Sequence, residues 1–238
     1  MNYNPTARSI LKAFKVPLLI VMSLWIIHAF VTVFDVNVAM YALAPRRSYG
    51  LRGILTSPLL HSDWGHLFNN SFPILVTASM MYFFYRKSAV PAITIIYLLT
   101  GLAVWVFGHS GFHIGASGVA YGMVSFIFWS GIFRRNIESI ILALIVVMLY
   151  SGMIAGVFPD EPGISWESHL FGAIMGLLTA IMFSGVDVPE KKSPDYGPEK
   201  DQSFFAPDIF EKTKLQRRQE QIEAMRRRQL EGDQFGNQ

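Results

Sequence analysis

Six stretches of the chain contain no Asp, Glu, Lys or Arg and are apolar almost throughout: Val16–Phe34, Leu67–Tyr85, Ser88–Gly108, Ile114–Phe133, Ser139–Pro159 and Ser168–Val186. Each is close to the roughly 20 residues that a helix needs to cross the hydrocarbon core of a bilayer. The pattern predicts an all-α fold, a polytopic bundle of six transmembrane helices. The first stretch is too long for a cleavable signal peptide and lacks a small-residue cleavage site. The second begins with polar residues (His66, Asn69, Asn70, Ser71) and carries Pro73, so it is the least apolar of the six.

Outside these stretches the pattern divides the chain into an N-terminal segment 1–15, a membrane domain 16–186 and a charged tail 187–238. Lys and Arg in the short connections set orientation. Arg8, Lys12 and Lys15 precede the first stretch, Arg86 and Lys87 follow the second, Arg134 and Arg135 the fourth, and Lys191 and Lys192 the sixth. With six spans all four places share one side, so both termini are expected in the cytoplasm. The opposite connections are poor in basic residues, except for Arg46, Arg47 and Arg52 in the long first loop. That loop, Val36–Leu60, is too apolar for free solution and too interrupted for a span. A partly helical segment lying in the interface fits it; an ordinary extracellular loop is the alternative. The tail opens with a linker rich in Pro, Lys, Ser, Asp and Gly. Glu211–Glu231 then has helical character, with Leu215, Ile222, Met225 and Leu230 forming a thin apolar stripe. It reads either as a solvated, partly helical or disordered tail or as a basic surface for anionic lipid or a partner. No internal repeat is visible.

Composition agrees with a membrane setting. Of 238 residues, 52% are hydrophobic and 16% charged, against about a quarter charged in soluble domains. Cysteine is absent, which removes disulfides, thiol chemistry and Cys-based metal sites. The net charge of +3 matters less than where the charges sit.

Ionisable and nucleophilic side chains inside apolar helices are costly and mark function by default. Ser117 opens the fourth stretch in Gly115-Ala116-Ser117-Gly118, and His169 opens the sixth. Both lie toward the outer face, at matching depth. A hydroxyl beside an imidazole is what nucleophilic catalysis uses: the imidazole takes the proton as oxygen attacks a carbonyl. Gly118 and Gly122 on the fourth stretch, and Gly172 and Gly176 on the sixth, are small-xxx-small pairs that let helix backbones approach. Ser117 and Tyr121 share a face at i, i+4, so Tyr121 falls one turn below as a shelf for the imidazole ring. The start of the fourth helix offers a free backbone N–H for an oxyanion. His66 and Asn70, also i, i+4, supply further donors, and His61 lies close by. His61 and His66 also raise a metal site, but no third ligand presents itself and the nearest carboxylate, Asp63, is on an outer loop.

These motifs, in this order, resemble those of the rhomboid family of intramembrane serine proteases over about Val16–Val186. Gly115-Ala116-Ser117-Gly118 with Tyr121 is similar to its Gly-x-Ser-Gly motif. His169, Gly172 and Gly176 match its His-x-x-Gly-x-x-x-Gly. His61-Ser-Asp-Trp-Gly-His66-Leu-Phe-Asn-Asn70 resembles its second-helix motif. The resemblance implies a serine endopeptidase with a Ser117–His169 dyad, with His66 and Asn70 assisting the oxyanion. It also implies single-span transmembrane proteins as substrates and a bilayer as the setting, here a bacterial inner membrane. No cofactor, metal or nucleic acid is expected, and no residue signals an oligomeric state. The chain departs from the family at Leu51-Arg52, where Trp-Arg is frequent. A proteolytically silent relative that binds transmembrane clients is the alternative, and it requires a broken dyad. A transporter requires ionisable groups deep in the bundle and a repeat. The fifth span and the loop Val157–Trp166, with Pro159, Pro162 and Gly163, are expected to move as substrate enters.

Overall fold

A computed structural model describes residues 7–158, 165–186 and 212–235. Pro159, Pro162 and Gly163 of the fifth loop, and the linker with Lys191 and Lys192, lie outside the described residues. The chain divides into two compact units, Met1–Pro189 and Glu190–Gln238. The first is all-helical among the described residues. Helices α1 (Ala7–Val33), α3 (Trp64–Phe84), α4 (Ala89–Phe107), α5 (Ser117–Arg134), α6 (Ile137–Tyr150) and α7 (Trp166–Met182) occupy the six apolar stretches. By length and hydropathy, two of them, Leu11–Val33 and Ala89–Phe107, qualify as membrane spans, while Ile137–Met153 and Trp166–Met182 are apolar but shorter. Those two criteria alone therefore mark two crossings rather than six. In the second unit, α8 (Lys214–Phe235) covers most of the stretch read as helical in the tail and exposes Leu215, Ile222 and Met225.

α5 is the central helix and packs against α7, α6, α3 and α4. Its small residues make this position available. Gly118 and Gly122 are buried one turn apart on one side, Ala120 is buried on another, and Phe126 and Ile127 fill the core lower down. α3 tolerates its polar start because the polar groups find partners. Asp63 caps the helix by accepting the His66 N–H at 2.8 Å. Trp25 of α1 donates to Ser71 Oγ at 2.9 Å, and Ser71 donates in turn to the Leu67 carbonyl. The outward faces carry many large apolar side chains, among them Ile26, Phe30, Leu144 and Met148. Such a belt suits contact with lipid and not with water.

The first loop is partly helical, with 3-10 turns at Val38–Met40, Ser48–Arg52 and Ser57–Leu59 around a single α turn, α2 (Gly53–Thr56). It seats on the end of α4. Arg46 donates to the carbonyls of Val106 and Gly108, and Trp105 donates to the Arg47 carbonyl. A cation placed on the last carbonyls of a helix is favourable. Arg52 stacks over the Tyr41 ring at 5.7 Å. Leu43 and His113 exchange backbone hydrogen bonds, which ties this loop to the one before α5.

One segment departs from the reading of the sequence. The fifth apolar stretch is not one helix: α6 stops at Tyr150, and Ser151–Val157 continues as a 3-10 helix. Gly152 and Gly156 are the local reason, since glycine weakens an α-helix and such segments tighten readily into 3-10 turns.

Candidate active site

Ser117 is the first residue of α5. Its placement begins with Gly115, whose φ of +111° is one that L side chains rarely adopt. The Gly115 N–H donates to the Ser57 carbonyl at 2.9 Å, so the first loop holds the turn that launches α5. A Cβ at Gly115 would lie 2.7 Å from His66 Cε1. Glycine is required here by conformation and by space. As the first helical residue, Ser117 has a backbone N–H with no intrahelical acceptor.

His169 lies in the first turn of α7 and is 7% exposed. Its Nε2 is 2.8 Å from Ser117 Oγ, and its Nδ1 is 2.7 Å from the carbonyl oxygen of Gly156. A carbonyl only accepts, so Nδ1 carries the hydrogen and Nε2 is left to accept the serine proton. The Tyr121 ring lies flat against the imidazole, with centroids 4.1 Å apart and planes 5° from parallel. The Tyr121 hydroxyl donates to the Met153 carbonyl at 2.7 Å.

The four helix glycines account for the close approach of α5 and α7. A Cβ on Gly172 would overlap the Gly118 carbonyl oxygen, and one on Gly176 would overlap that of Gly122. A Cβ on Gly118 would lie 2.9 Å from the Ser168 carbonyl oxygen, and one on Gly122 would meet Ile96. Any larger residue forces the helices apart.

On the other side of Ser117 an open cavity of about 470 Å³ is lined by Ser117, His66, Asp63, Asn69, His113 and neighbours. Asn70 sits one turn below His66 and is 6% exposed. Its Nδ2 is buried with no hydrogen-bond partner among the described residues, and lies 3.7 Å from where a Gly115 Cβ would be. An unused buried donor beside the turn that carries Ser117 is suited to an oxygen that becomes charged. His66 Nδ1 is 3.1 Å from Ser62 Oγ, which is itself 2.7 Å from Asp63 Oδ2. The side chains of Ser62, Asp63 and His66 thus form one chain leading to the cavity. His61 does not line it. It is packed behind His66, with rings 5.1 Å apart. Burial pushes its pKa down to about 4, with the neighbouring His66 and His28 adding to the effect, so the ring is neutral near pH 7. Among the described residues no three His, Asp or Glu side chains are grouped to hold a metal.

Three features were not read from the sequence. The Gly156 and Met153 carbonyls are backbone groups with no residue-type signature. His28 of α1 is buried next to His61, and an ionisable residue within an apolar stretch was the available signal for it. The carboxylate of Glu167, buried in the first turn of α7, accepts from the His109 backbone N–H and bonds the His109 ring, while His113 bonds Ser165, which bonds Ser168. These contacts pin the loop before α5 to the start of α7. Glu167 lies two residues before His169, but its hydrogen bonds go to His109.

The sequence model of the Rhomboid domain matches residues 49–186. Similar relatives include uncharacterized proteins of Mycobacterium tuberculosis and Mycobacterium bovis, each 36% identical over 168 residues, which is 67% of this chain and 67% of the relative. A protein of Mycobacterium leprae, also described as uncharacterized, is 33% identical over 152 residues, 60% of this chain and 59% of its own length.

Proposed function

The chain belongs to the rhomboid family of membrane proteins, and from that premise we propose that it is an intramembrane serine endopeptidase working through a Ser117–His169 dyad. The observation that carries the proposal is the 2.8 Å contact of His169 Nε2 with Ser117 Oγ, made while Nδ1 is occupied by the Gly156 carbonyl. In that arrangement the imidazole is in the tautomer that accepts a proton from serine.

The reaction proceeds in two halves. Ser117 Oγ attacks the scissile carbonyl carbon as its proton passes to His169 Nε2. The carbonyl oxygen becomes an oxyanion, held by the Ser117 N–H, by Asn70 Nδ2 and by His66. His169 then gives its proton to the leaving amine, and the C–N bond breaks to leave an acyl-serine. Water from the cavity beside His66 loses a proton to His169 and attacks the ester, and Ser117 is released with the proton returned. Ser62 gives its one proton to the Asp63 carboxylate, so His66 Nδ1 donates to Ser62 Oγ, and the ring donates from Nε2 as well only in its cationic form.

The six apolar stretches and the basic connections support a six-span domain in a bacterial inner membrane, with both termini cytoplasmic and the dyad near the outer face. A transmembrane helix hides its carbonyls in its own hydrogen bonds. The substrates are therefore single-span proteins with Gly, Pro or another weak helix former near their outer end. The test is cleavage of such a substrate by purified protein in vesicles. Wild type should cut it, and Ser117→Ala and His169→Ala should each lose several orders of magnitude in rate. A Ser117→Ala variant that cuts at the wild-type rate would exclude the dyad. No cutting by wild type of any such substrate would favour a silent binder of transmembrane clients.

A further inference from the structure

We infer that the 3-10 segment Ser151–Val157 is the third member of the catalytic constellation, with its Gly156 and Met153 carbonyls holding the base in tautomer and in plane. The inference rests on the assignment of Ser117 and His169 as nucleophile and base.

A base that takes a proton at Nε2 has to keep one at Nδ1, and something has to hold it there. In serine hydrolases with a triad, a carboxylate does this. Here the Gly156 carbonyl accepts from Nδ1 at 2.7 Å. When serine is deprotonated the ring becomes a cation, and the same hydrogen bond strengthens because its donor is then charged. The plane of the ring is held from the same segment. Tyr121 stacks on it, and the Tyr121 hydroxyl is fixed by the Met153 carbonyl at 2.7 Å. Two carbonyls three residues apart thus set both degrees of freedom of the base.

Gly156 cannot be replaced in this scheme. A Cβ there would overlap the Tyr121 hydroxyl oxygen and lie 3.2 Å from His169 Nδ1. Gly185, just beyond the end of α7, has nothing within 4 Å of a built Cβ. The segment also follows α6 directly. A cavity of about 260 Å³, lined by Tyr121, Val146, Tyr150, Met153, Val157 and others, lies beside it in place of a packed wall. A displacement of α6 therefore carries both carbonyls with it.

The experiment measures kcat and KM on one single-span substrate with the purified full chain. The variants are Gly185→Ala, Gly156→Ala, Tyr121→Phe and the double variant Gly156→Ala/Tyr121→Phe. Gly156→Ala should lower kcat by about 100-fold, the cost of a small misplacement of a catalytic group, with KM within about twofold of wild type. Gly185→Ala should match wild type. The double variant should recover part of the loss relative to Gly156→Ala, because it removes the atom that the new Cβ meets first. Recovery of kcat with KM unchanged places the effect on the base and not on substrate binding. Undiminished kcat in Gly156→Ala, an equal loss in Gly185→Ala, or no recovery in the double variant would overturn the inference while leaving the dyad intact. Failure of wild type to cut would overturn the dyad assignment itself.

Discussion

Replacing Gly172 by alanine tests whether helix contact sets the catalytic distance. Gly172 lies one turn after His169 on the same face of α7, against Gly118, which follows Ser117 directly. A Cβ on Gly172 would sit 2.9 Å from the Gly118 carbonyl carbon and 3.2 Å from its Cα, and would overlap the carbonyl oxygen. Ordinary carbon contacts are about 3.5–4.0 Å, so α7 must retreat by roughly 1 Å at that level. If His169 shares the retreat, its 2.8 Å contact with Ser117 opens to nearly 4 Å, beyond hydrogen-bond reach. A misplacement of that size costs about 100-fold in rate, while overpacking costs about 1–3 kcal/mol of stability. The assay is turnover of a single-span substrate at a temperature where thermal unfolding shows the variant still folded. Gly185→Ala, where a Cβ meets nothing within 4 Å, is the control. A folded Gly172→Ala protein with wild-type kcat would refute the argument, because the glycine contact would then not set the distance.

Asn70→Ala should lower kcat by about 10²–10³, as loss of one oxyanion donor does; a change mainly in KM would make Asn70 a substrate-positioning group instead. Asp63 is held below the usual carboxylate range, first by the Ser62 hydroxyl and then by backbone N–H groups. Its contribution to stability is therefore present above about pH 4 and lost as pH falls through the depressed value. Asp63→Asn, which still caps α3 but does not titrate, should flatten the acid side of the thermal stability profile, and an unchanged profile would contradict this. Changing the outer-end Gly or Pro of a substrate helix to Leu should slow its cleavage, and equal rates would mean that local helix opening does not select substrates. A reporter after Lys192 should read cytoplasmic and one at Gly163 external; the reverse would put the span count wrong by one.

The helices and the meeting of Ser117 with His169 were legible in the sequence because both depend on side chains. Stretches without charge mark the six helices. Ser117, Tyr121 and His169 carry their chemistry in their residue types, and the four glycines at i, i+4 spacing point to α5 against α7. Asn70 and His66 were legible through helical spacing alone. The break of the fifth stretch at Tyr150 was not, because hydropathy continues unchanged through Ser151–Val157 while the backbone tightens. The Gly156 partner of His169 Nδ1 was invisible for the same reason: it is a carbonyl, which every residue has. His28 and the Glu167–His109 contact depend on which elements meet in space, and no local spacing encodes that.

The central claim is that Ser117 is an activated nucleophile. The direct measurement is reaction of the purified, membrane-reconstituted protein with a fluorophosphonate, followed by mapping of the adduct by mass spectrometry. The account predicts one adduct, on Ser117, lost in Ser117→Ala and much slowed in His169→Ala. An adduct on another serine, or labelling undiminished in Ser117→Ala, would contradict it.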